Sequence, residues 1–98
     1  MKSVQELKVW IVEGSLAVAV RFDGAGLSIS ASLTEGQGRD LAVAVEDLVY
    51  YSASQVSVSP FIGGGVGWVA QAQKDEGAKA LGRIVHETLH ETYPQWWS

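Results

Sequence analysis

"LAVAV" stands at residues 16–20 and again at 41–45, and the fold turns on reading the two copies differently. The first lies in "SLAVAVRF" (15–22), between Gly14 and the turn-forming "DGAG" (23–26). There Leu16, Val18, Val20 and Phe22 share one side of an extended chain, with small residues between them. That period of two belongs to a strand with one buried face. The second copy runs on into "EDLVYY" (46–51), and Leu41, Ala44, Val45 and Leu48 recur at helical spacing. Thr34, with Gln37 three residues on, resembles a capping box ahead of it, in which hydroxyl and amide satisfy the first free N–H groups of a helix. Val43 breaks the apolar stripe. The same pentapeptide therefore predicts a strand in one place and a helix in the other.

Working outward, "ELKVWIVEG" (6–14) reads as a first strand ending at Gly14. "LSISASL" (27–33) alternates, with Leu27, Ile29, Ala31 and Leu33 on one side and three serines on the other. It forms a hairpin with "SLAVAVRF", because glycine supplies the positive φ of a tight turn. "QVSVSPFI" (55–62) is a further strand, and Pro60, which has no N–H to donate, marks an edge or a bulge. "GGG" (63–65) turns the chain and "VGWVAQAQ" (66–73) returns as its partner. "KDEGAKALGRIVHETLHETY" (74–93) is the clearest helix. Asp75 is placed to cap its start, Ala78, Leu81, Val85, Leu89 and Thr92 form one stripe, and Pro94 ends it.

Residues 27–48 and 68–89 share the order strand, Glu-Gly, amphipathic helix, a weak internal repeat. The expected architecture is a single α+β domain over residues 1–98. It has an antiparallel sheet of about five strands with both helices on one face, built as one strand followed by two ββα units.

Composition narrows the function. Ninety-eight residues, 47% hydrophobic and 18% charged, suit one folded domain with a modest core and little room for a separate catalytic lobe. The formal charge of −4 argues against a sequence-independent grip on nucleic acid, which needs clustered Lys and Arg. The chain has no cysteine, so disulfides and thiolate metal sites are excluded. "MKSVQELKVW" lacks the apolar core of a signal peptide, and no apolar stretch approaches the roughly 20 residues that span a bilayer. A cytoplasmic protein without membrane contact is expected.

Both histidines fall in "VHETLH" (85–90), an H-E-x-x-H pattern similar to that of the zincin metallopeptidases over these five residues alone. Four residues apart on a helix, His86 and His90 reach one side, and Glu87 would be the general base. A catalytic zinc needs a third protein ligand, and Glu91 is poorly placed to supply it. The helical wheel sets both histidines on the flank of the Leu81–Val85–Leu89 stripe, with Glu87 nearly opposite the core. A solvated flank is the expectation, and no residue is assigned as catalytic, cofactor-binding or metal-binding. "GGGVGWVA" (63–70) lacks the Lys-Ser/Thr of a phosphate loop and reads as a hairpin.

The more informative feature is the sheet face turned away from the helices. It is expected to carry Ala17, Ala19, Ser28, Ser30, Ser32, Ser57, Ser59, Gln71 and Gln73, joined by Trp10, Val12 and Val69. Long charged side chains normally keep such a face soluble, and here Arg21 and Lys8 are almost the only ones. The C-terminal "YPQWWS" (93–98) adds Trp96 and Trp97, which fold back over the core or anchor a partner; fold-back is favoured. Interaction residues are therefore Trp10, Ser28, Ser30, Ser32, Ser57, Ser59, Trp96 and Trp97. The leading functional expectation is a small acidic, non-catalytic binding protein that acts by protein–protein contact. Inhibitors, immunity-type proteins and phage-encoded antagonists are typical of this size and charge. A zinc-dependent hydrolase using HETLH and a homo-oligomeric structural subunit are the alternatives. No cofactor is implied.

Overall fold

The computed structural model describes residues 2–24, 27–60 and 67–97, with the backbone alone for 27–31. Five strands and two helices follow in the order β1 (Val4–Val12), β2 (Ser15–Phe22), β3 (Leu27–Leu33), α1 (Glu35–Tyr51), β4 (Val56–Pro60), β5 (Gly67–Ala72) and α2 (Asp75–Leu89). A short 3-10 helix, Pro94–Trp97, closes the chain. The two copies of LAVAV separate as expected, the first within β2 and the second within α1.

The strands form one antiparallel sheet in the order β3-β2-β1-β5-β4. The first strand is thus the centre, and each later hairpin adds to one side of it. Pro60 ends β4, an edge strand, where a missing N–H breaks no ladder. The glycines at 63–65 lie outside the described residues.

One apolar cluster joins the sheet to both helices. It contains Leu7, Val9, Val18 and Val20 from the strands, Leu41 and Val45 from α1, and Leu81, Val85 and Leu89 from α2. Every buried side chain in the described core is apolar. Each buried leucine removes enough surface from water to contribute about 2 kcal/mol, before the entropy of ordering it. α1 links the two edge strands and packs on β3, β4 and α2, while α2 lies over β1 and β5. Gly82 lets α2 come down on the backbone at Lys2, whose carbonyl occupies the space that a Cβ would need.

The helix ends show where local chemistry held. Thr34 and Gln37 form the capping box, with Gln37 N donating to Thr34 Oγ1 (3.1 Å) and Thr34 N donating to Gln37 Oε1 (3.0 Å). At α2 the expectation fails. Lys74 is the cap and makes no side-chain capping bond, so Asp75 is the first helical residue. Asp75 and Glu76 still favour that end by meeting the positive pole of the helix dipole. Thr92 leaves the apolar stripe, because α2 ends at Leu89 and Thr92 sits exposed in the following turn.

Candidate functional site

None of the described helices packs on the other face of the sheet, and the strand register lays out its residues in rows. Directly opposed residues of an antiparallel pair point to the same side. Trp10 on β1 is flanked by Ala17 on β2 and Gly67 on β5, and Ser32 on β3 follows Ala17 in that row. The next row runs Ala19, Lys8, Val69 and Ser59, and the third Arg21, Glu6, Gln71 and Ser57.

The first row makes a seat for the indole. Trp10 is half-buried between the two smallest side chains a sheet can offer. A Cβ at Gly67 would collide with the backbone of Val9 and with Trp10 itself, so the close approach of β5 to Trp10 needs glycine there. Trp10, Val12, Ala17 and Ser32 line a shallow depression of about 470 Å³, which Glu13, Ser15 and Leu16 complete. Ser32 on β3, within that lining, and Ser59 on β4, on the other side of β1 in the sheet, are both exposed.

The third row is chemically different. Glu6 accepts a hydrogen bond from Gln71 Nε2 (3.1 Å) and lies 3.6 Å from Arg21 Nε. Gln73 Nε2 donates to Ser57 Oγ (2.9 Å). The ion pair is partly exposed and adds at most about 1 kcal/mol, but it ties up the polar groups at this end. Glu6 was missed by the sequence reading, although its alternation with Lys8 and Trp10 along β1 was the available signal. Gly67 was missed as well, and no local signal could have found it, because its role depends on the β1–β5 register.

Of the expected interaction residues, Trp10, Ser32, Ser57 and Ser59 share this face. The side chains of Ser28 and Ser30 lie outside the described residues, although the β2–β3 register shifts between Val18 and Ala19 and interrupts the simple alternation. Trp96 and Trp97 go elsewhere. Both pack against the core, edge-on to Phe22 at centroid distances of 6.4 and 6.1 Å. Tyr93 stacks on Trp96 (4.9 Å) and donates its hydroxyl to the Ser32 carbonyl (3.0 Å). The tail folds back, covering the end of β2 on the helix side.

Fold-back also changes the surroundings of the histidines. His86 and His90 stack at 4.3 Å between centroids, and Trp97 stands roughly perpendicular to both rings, 5.1 and 5.8 Å away. His86 is half-buried and His90 exposed, so a fully solvated flank describes only the second. Trp97 Nε1 is buried and has no hydrogen-bond acceptor among the described residues. Among the described residues no group of three or more His, Asp or Glu is placed to hold a metal ion. None of the helices is long and apolar enough to cross a membrane, among the described residues.

A third surface lies between α1 and the β4 edge. Ala42, Val45, Glu46, Val49, Val58 and Trp68 line an apolar hollow of about 310 Å³. No protein-family model matches the chain, and no curated protein and no solved structure matches it either.

Proposed function

We propose that this chain is a non-catalytic binding protein that holds a protein partner against the open face of its sheet. The observation that carries the reading is Trp10, a half-exposed indole seated on Ala17 and Gly67 with none of the described helices above it. Tryptophan gives a large contact area at low conformational cost and is enriched among residues that dominate binding energy. Short neighbours leave its ring accessible to a projecting apolar side chain. Ser32 and Ser59 supply hydroxyls at the rim of the contact, the place where interfaces are polar. The Arg21–Glu6–Gln71 row bounds the surface at one end, because its polar groups already satisfy one another.

Inhibitor, immunity-type and antagonist roles all fit an acidic domain working through one such face. The test is Ser32→Lys combined with Ser59→Lys. Both positions are exposed, so the melt should stay within about 0.5 kcal/mol of the native protein. A partner captured by the native chain from lysate of its cell of origin should be lost by the variant, since the new charges would be buried without counter-charges. Capture by the variant at native yield would remove this face from the account.

A further inference from the structure

The sheet has two edges as well as two faces, and an edge strand presents backbone N–H and C=O groups that a further strand could pair. The β3 edge is in part taken up, because Tyr93 donates its hydroxyl to the Ser32 carbonyl (3.0 Å). At the other edge, β4 pairs with β5 alone among the described residues. Gln73 N donates to the Gln55 carbonyl (2.7 Å), one position beyond the Val56↔Ala72 pair. Opposed residues of an antiparallel ladder alternate between pairs that exchange hydrogen bonds and pairs whose backbone groups point away. Gln55, Ser57 and Ser59 therefore turn their backbone toward β5, and Val56, Val58 and Pro60 turn theirs outward. Pro60, which has no N–H, fits the outward set.

This edge borders the apolar hollow. Val56 and Val58 lie on the helix side of β4, Val56 in the core and Val58 exposed in the lining of the hollow beside Ala42, Val45, Val49 and Trp68. A strand laid along β4 would set the residue opposite Val58 at the hollow, and residues two positions away on the same side. The charge there has one sign. Glu46 lines the hollow, Asp47 follows it, and the last turn of α1 holds no basic residue against the negative pole of its dipole. β4 itself, VSVSP, carries no charge. Both features argue against a second copy of this chain as the occupant. Self-pairing about Val58 would set each Pro60 opposite the other copy's Val56, whose carbonyl would then lack a donor. It would also bring two acidic helix ends to one seam, where like charges repel.

We propose that β4 accepts an antiparallel strand from a partner protein, with a large apolar side chain opposite Val58 seated in the hollow and Lys or Arg two positions to either side, facing Glu46 and the end of α1. The outward backbone groups of Val56, Val58 and Pro60 supply affinity, and the hollow with its carboxylate supplies the sequence preference. Antiparallel addition lets Val58 exchange both of its hydrogen bonds with one opposed residue, and such pairing is slightly more stable per residue than parallel pairing. The site does not rest on the Trp10 reading, because the hollow lies on the opposite side of the sheet.

The experiment titrates the capped peptide Thr-Lys-Thr-Leu-Thr-Lys-Thr into isotope-labelled protein and follows the amides by NMR. The Val58 amide and the Trp68 indole should shift together, since both border the seat. Replacing both lysines of the peptide by glutamate should weaken binding about tenfold or more, because like charges would then meet. N-methylation of the central leucine removes the donor to the Val58 carbonyl and should abolish binding. N-methylation of the threonine after it, whose N–H points away from β4, should leave affinity unchanged. These arms alter only the peptide, so they do not depend on any variant folding. Glu46→Lys, at an exposed helix position, should reverse the preference between the lysine and glutamate peptides. Equal binding of the two N-methyl peptides, equal binding of the lysine and glutamate peptides, or a Val58 amide that does not move would each overturn the proposal. A Val58 amide that shifts on dilution of the protein alone would assign the edge to a second copy, and would overturn it too.

Discussion

Trp10 and Trp97 sit on opposite sides of the same sheet and have been given different work. Trp97 packs against Phe22 and both histidines, on the side where the helices lie. Its Nε1 is buried and has no acceptor among the described residues. Trp10 rests on Ala17 and Gly67 with one side toward solvent. The difference teaches that an aromatic residue is not by itself evidence of an interface. What separates the two is whether the surrounding chain closes over the ring. Five strands span about 20 Å across, and two helices, one of them crossing between the edge strands, leave the Phe22 end to be filled. The tail fills it, and none of the described residues forms an equivalent cover over the other face.

The largest expected effect breaks the covered side. Leu81 is fully buried on the inner side of α2, so Leu81→Ala should lower stability by about 2–5 kcal/mol, read by urea or thermal unfolding. A domain of this size holds only about 5–10 kcal/mol in reserve, so partial unfolding at 37 °C is expected. Next is the tail. Deleting residues 95–98 removes two partly buried indoles from the core, and a loss of about 2–4 kcal/mol should appear as a markedly lower melting midpoint. An unchanged melt would mean that the tail is a free anchor, and the contrast between the two tryptophans would fall.

Much of this contrast could be read in the sequence. The strand and helix readings of LAVAV followed from neighbours within a few residues, and so did the Thr34–Gln37 box, because capping is a contact between i and i+3. The alternation of β1 and β2 gave the two faces. What was not legible depended on distant pairing. The seat of Trp10 on Gly67 requires the β1–β5 register, which joins residues nearly sixty positions apart. The β2–β3 irregularity near Ala19 gives no local sign. Asp75 looked like a cap because its type favours caps, yet Lys74 takes the position. The histidine pair was legible as a spacing and illegible as a cluster, since its third member, Trp97, arrives only after the chain turns at Tyr93 and Pro94.

A smaller effect sharpens the fold account at the β1–β2 hairpin. Glu13 has φ of 49° and Gly14 of 81°, the left-handed pair of a two-residue turn. Glutamate is strained there, whereas asparagine tolerates the conformation. Glu13→Asn should therefore raise stability by about 0.5–1 kcal/mol, measured as a higher midpoint with an unchanged slope in urea.

The most direct test of the central claim sets Trp10→Ala beside Trp97→Ala in one pair of assays, thermal melting and affinity for the captured partner. The account predicts that Trp10→Ala loses no more than about 1 kcal/mol of stability, the scale of a cross-strand pair, and about tenfold or more in binding. Trp97→Ala should show the reverse: a clearly lower midpoint, with the folded fraction binding as the native protein does. A Trp10→Ala protein that melts as low as Trp97→Ala yet keeps native affinity would contradict the assignment of the open face to binding.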